Sequence, residues 1–227
     1  MPPGTLTMKR IYFDIETGPL PESELLPLLP AFDPAEVKTG NLKDEAKIAA
    51  KIEEAKLNHR RDFIERAALD ATTGRVVAVG LLHDATGEFE VIGHDDEAET
   101  LREFWSRWRW QDSRPVEFVG FNVLQFDLPF LVRRSWKRRV PVPTGLRRGR
   151  YWSESVIDLR DLWQLGDRQA RGSLDVIARH LGVGAKNGDG KEFAQLWQSD
   201  REKAIAYLKN DVEMTARIAE SLGCVAA

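Results

Sequence analysis

Between Arg10 and Gly18 the chain alternates. Ile11, Phe13 and Ile15 interleave with Tyr12, Asp14 and Glu16, the period of two that marks a strand. Pro19, Pro21, Pro27, Pro30 and Pro34 then break the pattern. From Asp44 to about Leu69 the spacing becomes three and four, with Ile48, Ile52, Ala55, His59, Phe63 and Ala67 on one stripe and mixed charge elsewhere. This predicts a helix that packs by a narrow face, so residues 19–73 read as a helical insertion after the first strand, a structural arm in preference to a substrate clamp. Val76–Leu82 and Glu88–Ile92 flank Asp84-Ala-Thr-Gly87 and predict a hairpin. Leu101, Phe104, Trp105 and Trp108 give one core-facing helix stripe. Val116–Gly120 reads as a short buried strand, Phe126–Arg139 as a helix, and Ser155–Asp158 as a brief strand. Ser173–Leu181 reads as a helix stopped by Gly182. A last helix is expected from Ser199, with Glu202 completing a capping box, to Gly223. Strands first and then alternating with helices predict an α/β domain, 1–227, whose mixed sheet combines an antiparallel hairpin with parallel strands and is flanked by helices.

Composition adds little to this picture. A formal net charge of −3 over 227 residues argues neither for nor against nucleic acid. The single cysteine, Cys224, excludes an internal disulfide and fits a reducing cytosol. No apolar run is long enough to span a membrane, so a cytoplasmic protein without a membrane partner is expected. Distribution is more informative than total charge. Leu128–Ser153 contains no acid but holds Arg133, Arg134, Lys137, Arg138, Arg139, Arg147, Arg148 and Arg150, with Trp136, Tyr151 and Trp152 interleaved. Such a block suits phosphate contacts and base stacking, a reading preferred here to that of a solvated basic face.

Two carboxylates on one strand face change the picture further. Asp14 and Glu16 point the same way from an apolar strand. They need a partner if half buried, and a hard divalent cation is the simplest one; a polar outer face on an edge strand is the alternative. Asp127 falls in the first turn of a helix that follows a strand, where open α/β sheets place their sites and where a plain capping Asp also belongs. Tyr207 and Asp211, four apart, share one helix face, either against the sheet or solvated.

Taken in order, these groups resemble the DEDD superfamily of 3′–5′ exonucleases in its tyrosine subclass. Phe13-Asp-Ile-Glu-Thr17 looks like the first motif of that family. Asn122 with Phe126-Asp127 looks like the second, in the form of the proofreading domain of family-B DNA polymerases. Tyr207 and Asp211 look like the third, and Ser173–Gly182 is similar to a connecting segment of the same domains. The histidine subclass would place a histidine where Ala206 stands.

The resemblance implies a ribonuclease H-like fold and two divalent cations, Mg²⁺ or Mn²⁺, held by Asp14, Glu16, Asp127 and Asp211. Asp14 would bridge both cations, and Tyr207 would orient the attacking water. Thr17, Asn122 and Phe126 lie within these motifs and are candidates for the substrate side; Asn122 would contact the terminal nucleotide or fix the loop before Asp127, and Phe126 suits the core better than base stacking. Arg133, Arg134, Arg147, Arg148 and Lys186 are expected to contact phosphate, Lys186 from the glycine-rich loop 182–190. Asp158 and Asp161, bordering a strand, are extra ligands or caps. The expected substrate is the 3′ end of DNA, single-stranded, with any proofreading done in trans beside a polymerase or another replication or repair protein. RNA trimming on the same scaffold and a non-catalytic nucleic-acid-binding module are the alternatives.

Overall fold

The structure, a computed structural model, describes residues 9–108, 116–143, 156–167, 169–188 and 190–224. These form two compact units, Gly18–Arg75 and the remainder of the chain.

In the larger unit the elements are strands β1 (Lys9–Pro19), β2 (Gly74–His83), β3 (Glu88–Ile92), β4 (Val116–Gly120) and β5 (Val156–Asp158), the first two running into the smaller unit at one end. They make one sheet in the order β3-β2-β1-β4-β5. β2 and β3 pair antiparallel, with Val79 opposite Ile92. β1 pairs parallel with β4, Ile11 opposite Phe118, and β4 parallel with β5, Gly120 opposite Asp158. The sheet is thus mixed, as the alternation predicts. β1 is its central strand, which removes the edge-strand reading of Asp14 and Glu16.

The smaller unit holds α1 (Glu22–Leu25) and α2 (Glu45–Arg66). Asp44 caps α2 by accepting from the Ala46 and Lys47 N–H groups. None of the 22 residues of α2 is fully buried. Ile48, Ile52, Ala55, His59 and Phe63 are the half-buried face, and Phe63 packs on a small core of Leu20, Leu25 and Ala67.

Helices cover both faces of the sheet. Phe13 points to one side, where it meets Phe104 and Trp108 of α3 (Glu97–Trp108) and Phe118 of β4 with ring centroids about 6 Å apart. α4 (Asp127–Arg138) is tied to α3 by a hydrogen bond of 2.7 Å from Trp105 Nε1 to Ser135 Oγ. On the other side α5 (Leu159–Gln164), α6 (Leu174–Leu181), α7 (Phe193–Ser199) and α8 (Arg201–Ser221) share a core with Tyr12, Val77 and Val119. Gly80 of β2 permits the close approach of α8. A Cβ there would stand 2.8 Å from Leu208 Cγ and 3.1 Å from Val212 Cγ2.

Two details of the sequence reading change. The last helix is capped by Asp200, whose carboxylate accepts from the Lys203 N–H at 3.2 Å. Ser199 instead closes α7, its hydroxyl donating to the Gln195 carbonyl. α5 and α7, six and seven residues long, are too short to show a periodic stripe of their own.

Candidate active site

The period of two sends Tyr12, Asp14 and Glu16 to the α8 side of β1, and α8 presents Tyr207 and Asp211 to them. One carboxylate oxygen from each of Asp14, Glu16 and Asp211 lies within 4.8 Å of the others. Asp127, at the start of α4, stands beside this group. Its Oδ1 accepts from the Ile15 N–H at 3.2 Å, which fixes it to the strand between the two other acids. Asp14, Glu16, Asn122, Phe126, Asp127, Arg160, Lys186 and Tyr207 all line one cavity of about 310 Å³. Thr17 is half-buried one residue further along β1.

Three of the acids are buried, Glu16 7% exposed, Asp127 3% and Asp211 0%, and Asp14 is half-buried. Burial, then the charge of Asp211, pushes the Asp14 carboxyl up to about 7. Burial and the Asp14 charge hold Glu16 and Asp127 well above the usual carboxylate range. Burial raises Asp211 too, against the opposing pull of Lys186. Lys186 donates from Nζ to Asp211 Oδ2 at 2.6 Å and to the Tyr207 hydroxyl at 3.0 Å. Burial works against its charge, but Asp211 more than offsets this and raises its pKa. Tyr207, 5% exposed, is pushed above its ordinary range by burial.

One ammonium among four carboxylates leaves this pocket short of positive charge. Asp211 Oδ1 shows where the deficit lies, because it is buried without a hydrogen-bond partner among the described residues. A buried carboxylate oxygen in that state costs free energy, and an all-oxygen donor set of this kind suits Mg²⁺ or Mn²⁺. The residues present therefore fit a divalent cation.

The glycine loop closes over the tyrosine. A Cβ at Gly188 would meet the Tyr207 ring at 2.9 Å, and one at Gly190 would come within 3.4 Å of its hydroxyl and 3.7 Å of Glu16 Oε2. Lys186 thus sits inside the acidic cluster rather than on an outlying loop, a position that required the tertiary fold to see.

The basic block divides. Arg134 is 1% exposed and is committed to Glu97, with Nε to Oε1 at 2.8 Å and Nη2 to Oε2 at 2.7 Å. Arg138 joins the same carboxylate at 2.8 Å. Those hydrogen bonds overcome the burial of Glu97 and hold its carboxyl below the usual range. The expectation that Arg134 contacts phosphate is therefore corrected: a buried Glu97 has taken its charge. Arg133, Lys137 and Arg139 are exposed, with Trp136 56% exposed among them. Arg147, Arg148, Arg150, Tyr151 and Trp152 lie outside the described residues.

Asp158, buried at the end of β5, is a structural node. It accepts from the N–H groups of Asn122, Leu124 and Arg160, each at 2.9 Å. Arg160, absent from the expected site residues, lines the cavity with Asn122. A lone arginine in a short helix carries no sequence signal for such a place.

A mixed α/β sheet whose central strand brings two carboxylates beneath a helix carrying Tyr207 and Asp211 is the architecture of an exonuclease-type domain. Residues 66–216 match a family described as a predicted 3′–5′ exonuclease related to the exonuclease domain of PolB, and the chain belongs to that family. It is 30% identical over 165 residues to DNA polymerase 2 of Aeropyrum pernix, a match that covers 64% of this chain and 20% of that one. Its fold resembles the family B DNA polymerase of Pyrobaculum calidifontis with a TM-score of 0.61 at 19% identity, over 95% of this chain and 24% of the other. The chain thus spans about a fifth to a quarter of the polymerases it matches. Among the described residues no helix is long and apolar enough to cross a membrane.

Proposed function

We propose that this domain is a metal-dependent 3′–5′ exonuclease that hydrolyses phosphodiester bonds at the 3′ end of single-stranded DNA with two divalent cations. The observation that carries the reading is the convergence of Asp14, Glu16 and Asp211, one oxygen of each within 4.8 Å of the others, with Asp211 Oδ1 buried and without a partner among the described residues. Asp14, Glu16 and Asp211 would hold one cation, and Asp14 with Asp127 the other. Bound there, the pair would supply charge to the phosphoryl oxygens and lower the pKa of a water.

The other roles belong to side chains. Tyr207 is held protonated by burial, which makes it a poor base and a good hydrogen-bond donor, so it orients the attacking water. Lys186, paired with Asp211 Oδ2 and the Tyr207 hydroxyl, holds both groups in place and would leave the other oxygen of Asp211 to a cation. Asn122 and Phe126 line the cavity on the substrate side. Exposed Arg133, Lys137, Arg139 and Trp136 offer phosphate contacts and a stacking surface further out.

The test is release of nucleotides from 5′-labelled single-stranded DNA and RNA of one sequence, with Mg²⁺ or Mn²⁺ and with EDTA. Ladders of 3′-shortened DNA that vanish with EDTA are expected. Cleavage of RNA alone would replace DNA as substrate. Cleavage unaffected by EDTA would remove the metal assignment.

A further inference from the structure

The cavity that holds the carboxylates shares part of its wall with another. Asn122 and Arg160 line it and also line a second, larger cavity of about 750 Å³, walled otherwise by Gln125, Asp161, Gln164 and Gly166. Its size is within the range of ligand sites, roughly 300–1,000 Å³, but most such sites are apolar. These walls are amides and charges, which suit a strongly hydrogen-bonding, charged ligand.

The junction between the two spaces is built rigidly. The Asp158 carboxylate takes the backbone N–H of both Asn122 and Arg160 at 2.9 Å. Arg160 Nη1 donates to Asn122 Oδ1 at 2.9 Å. Asn122 is held at φ 65, in the left-handed region that few residues other than glycine and asparagine adopt. A guanidinium has five N–H groups, and those of Arg160 other than the Nη1 donor have no partner among the described residues. With Arg134 buried against Glu97, Arg160 is the arginine among the described residues that lines the carboxylate cavity.

We propose that Arg160 binds the phosphate one step 5′ of the scissile bond, and that the cavity walled by Gln125 and Gln164 seats the nucleotide bearing that phosphate. The inference rests on the exonuclease reading above. A strand whose scissile phosphate lies at Asp14 must lead its next phosphate away from a cluster of carboxylates. The passage out of that cluster runs past a preorganised guanidinium. The substrate class is therefore a strand carrying at least two successive phosphates.

Two dinucleotides test it. A dinucleoside monophosphate has the scissile phosphate alone, and its 5′-phosphorylated form adds the one Arg160 would hold. The wild-type chain is expected to favour the phosphorylated form in kcat/KM by about tenfold or more, the scale of a charge-assisted hydrogen bond. Arg160→Gln should bring that ratio near one, and Arg160→Lys should keep most of it. On single-stranded DNA, Arg160→Gln should also flatten the plot of log(kcat/KM) against log salt by about 0.7, the contribution of one phosphate contact. An unchanged ratio in Arg160→Gln overturns the proposal. So does a ratio lost equally in the Lys and Gln variants, which would assign Arg160 to holding Asn122. If the wild-type chain releases no nucleotide even from long DNA, the exonuclease reading falls with it, so the two failures are told apart.

Discussion

Lys186 Nζ lies 2.6 Å from Asp211 Oδ2, while the other oxygen of the same carboxylate is buried without a partner among the described residues. The ammonium is an internal counter-charge that neutralises one side of the acidic cluster and leaves the other to a cation. Lys186→Gln removes it. Without a cation, the variant should melt lower than the wild type at pH 8. Activity with Mg²⁺ should fall about 10–100-fold, the usual scale for groups that support metal ligands. Thermal melts with EDTA and initial rates check this; equal melting temperatures would deny Lys186 its counter-charge role.

Asp14 sets function against stability. Asp14→Asn keeps the shape and deletes a charge that burial and Asp211 disfavour. Nucleotide release should be abolished, yet the metal-free protein should gain about 1 kcal/mol at pH 8, or roughly 2–4 °C in melting temperature. Stabilisation by Mn²⁺ should shrink in the same variant. Wild-type activity in Asp14→Asn would contradict the metal assignment.

Stability should depend on pH with an unusual sign. The Asp14 carboxyl titrates near 3.8 when unperturbed and at about 7 in the fold. Between those values the folded chain keeps a proton that the unfolded chain has lost, so metal-free stability falls as pH rises through the window. A divalent cation needs the ionised carboxylate. The gain in melting temperature on adding Mn²⁺ should therefore be larger at pH 8 than at pH 5.5. The opposite order would sink the argument.

Arg134 and Arg133 are neighbours in sequence with opposite expected behaviour. Arg134→Ala leaves buried Glu97 unpaired on one side and should cost about 3–5 kcal/mol, measured by chemical denaturation. Arg133→Gln should leave stability within about 0.5 kcal/mol and raise KM for DNA at moderate salt. If Arg134→Ala were as stable as the wild type, its pairing with Glu97 would carry no weight.

Gly80 sets how closely α8 approaches the sheet. Gly80→Val places methyl groups where Leu208 and Val212 already sit. Overpacking of this kind costs about 1–3 kcal/mol, and displacement of α8 should carry Tyr207 and Asp211 away from β1. Activity should fall more than stability predicts. A folded Gly80→Val protein with full activity would show that α8 is held in place by other contacts.

Most of the fold was legible because its long elements carry strong periods. The alternation from Ile11 to Glu16 marked β1, and Leu208, Val212 and Thr215 marked the buried stripe of α8. Short pieces were less visible. α5 and α7 make one or two turns each, and Ser199 and Asp200 are adjacent residues that both suit a cap. The Arg134 reading failed for a different reason. A run of arginines has the same appearance whether it faces solvent or meets Glu97, whose position depends on how α3 packs against α4.

The sequence by itself determined that Asp14 and Glu16 share a strand face and that Tyr207 and Asp211 share a helix face, because strand and helix periods are local properties of the backbone. It also carried the motifs by which the family is recognised. Only the tertiary structure decided that β1 is central, that α8 packs closely on β2 at Gly80, that Lys186 enters the acidic cluster, and that Arg160 lines two cavities. Those relationships depend on packing and burial between segments far apart in the chain, and no local pattern records which distant charge will meet which.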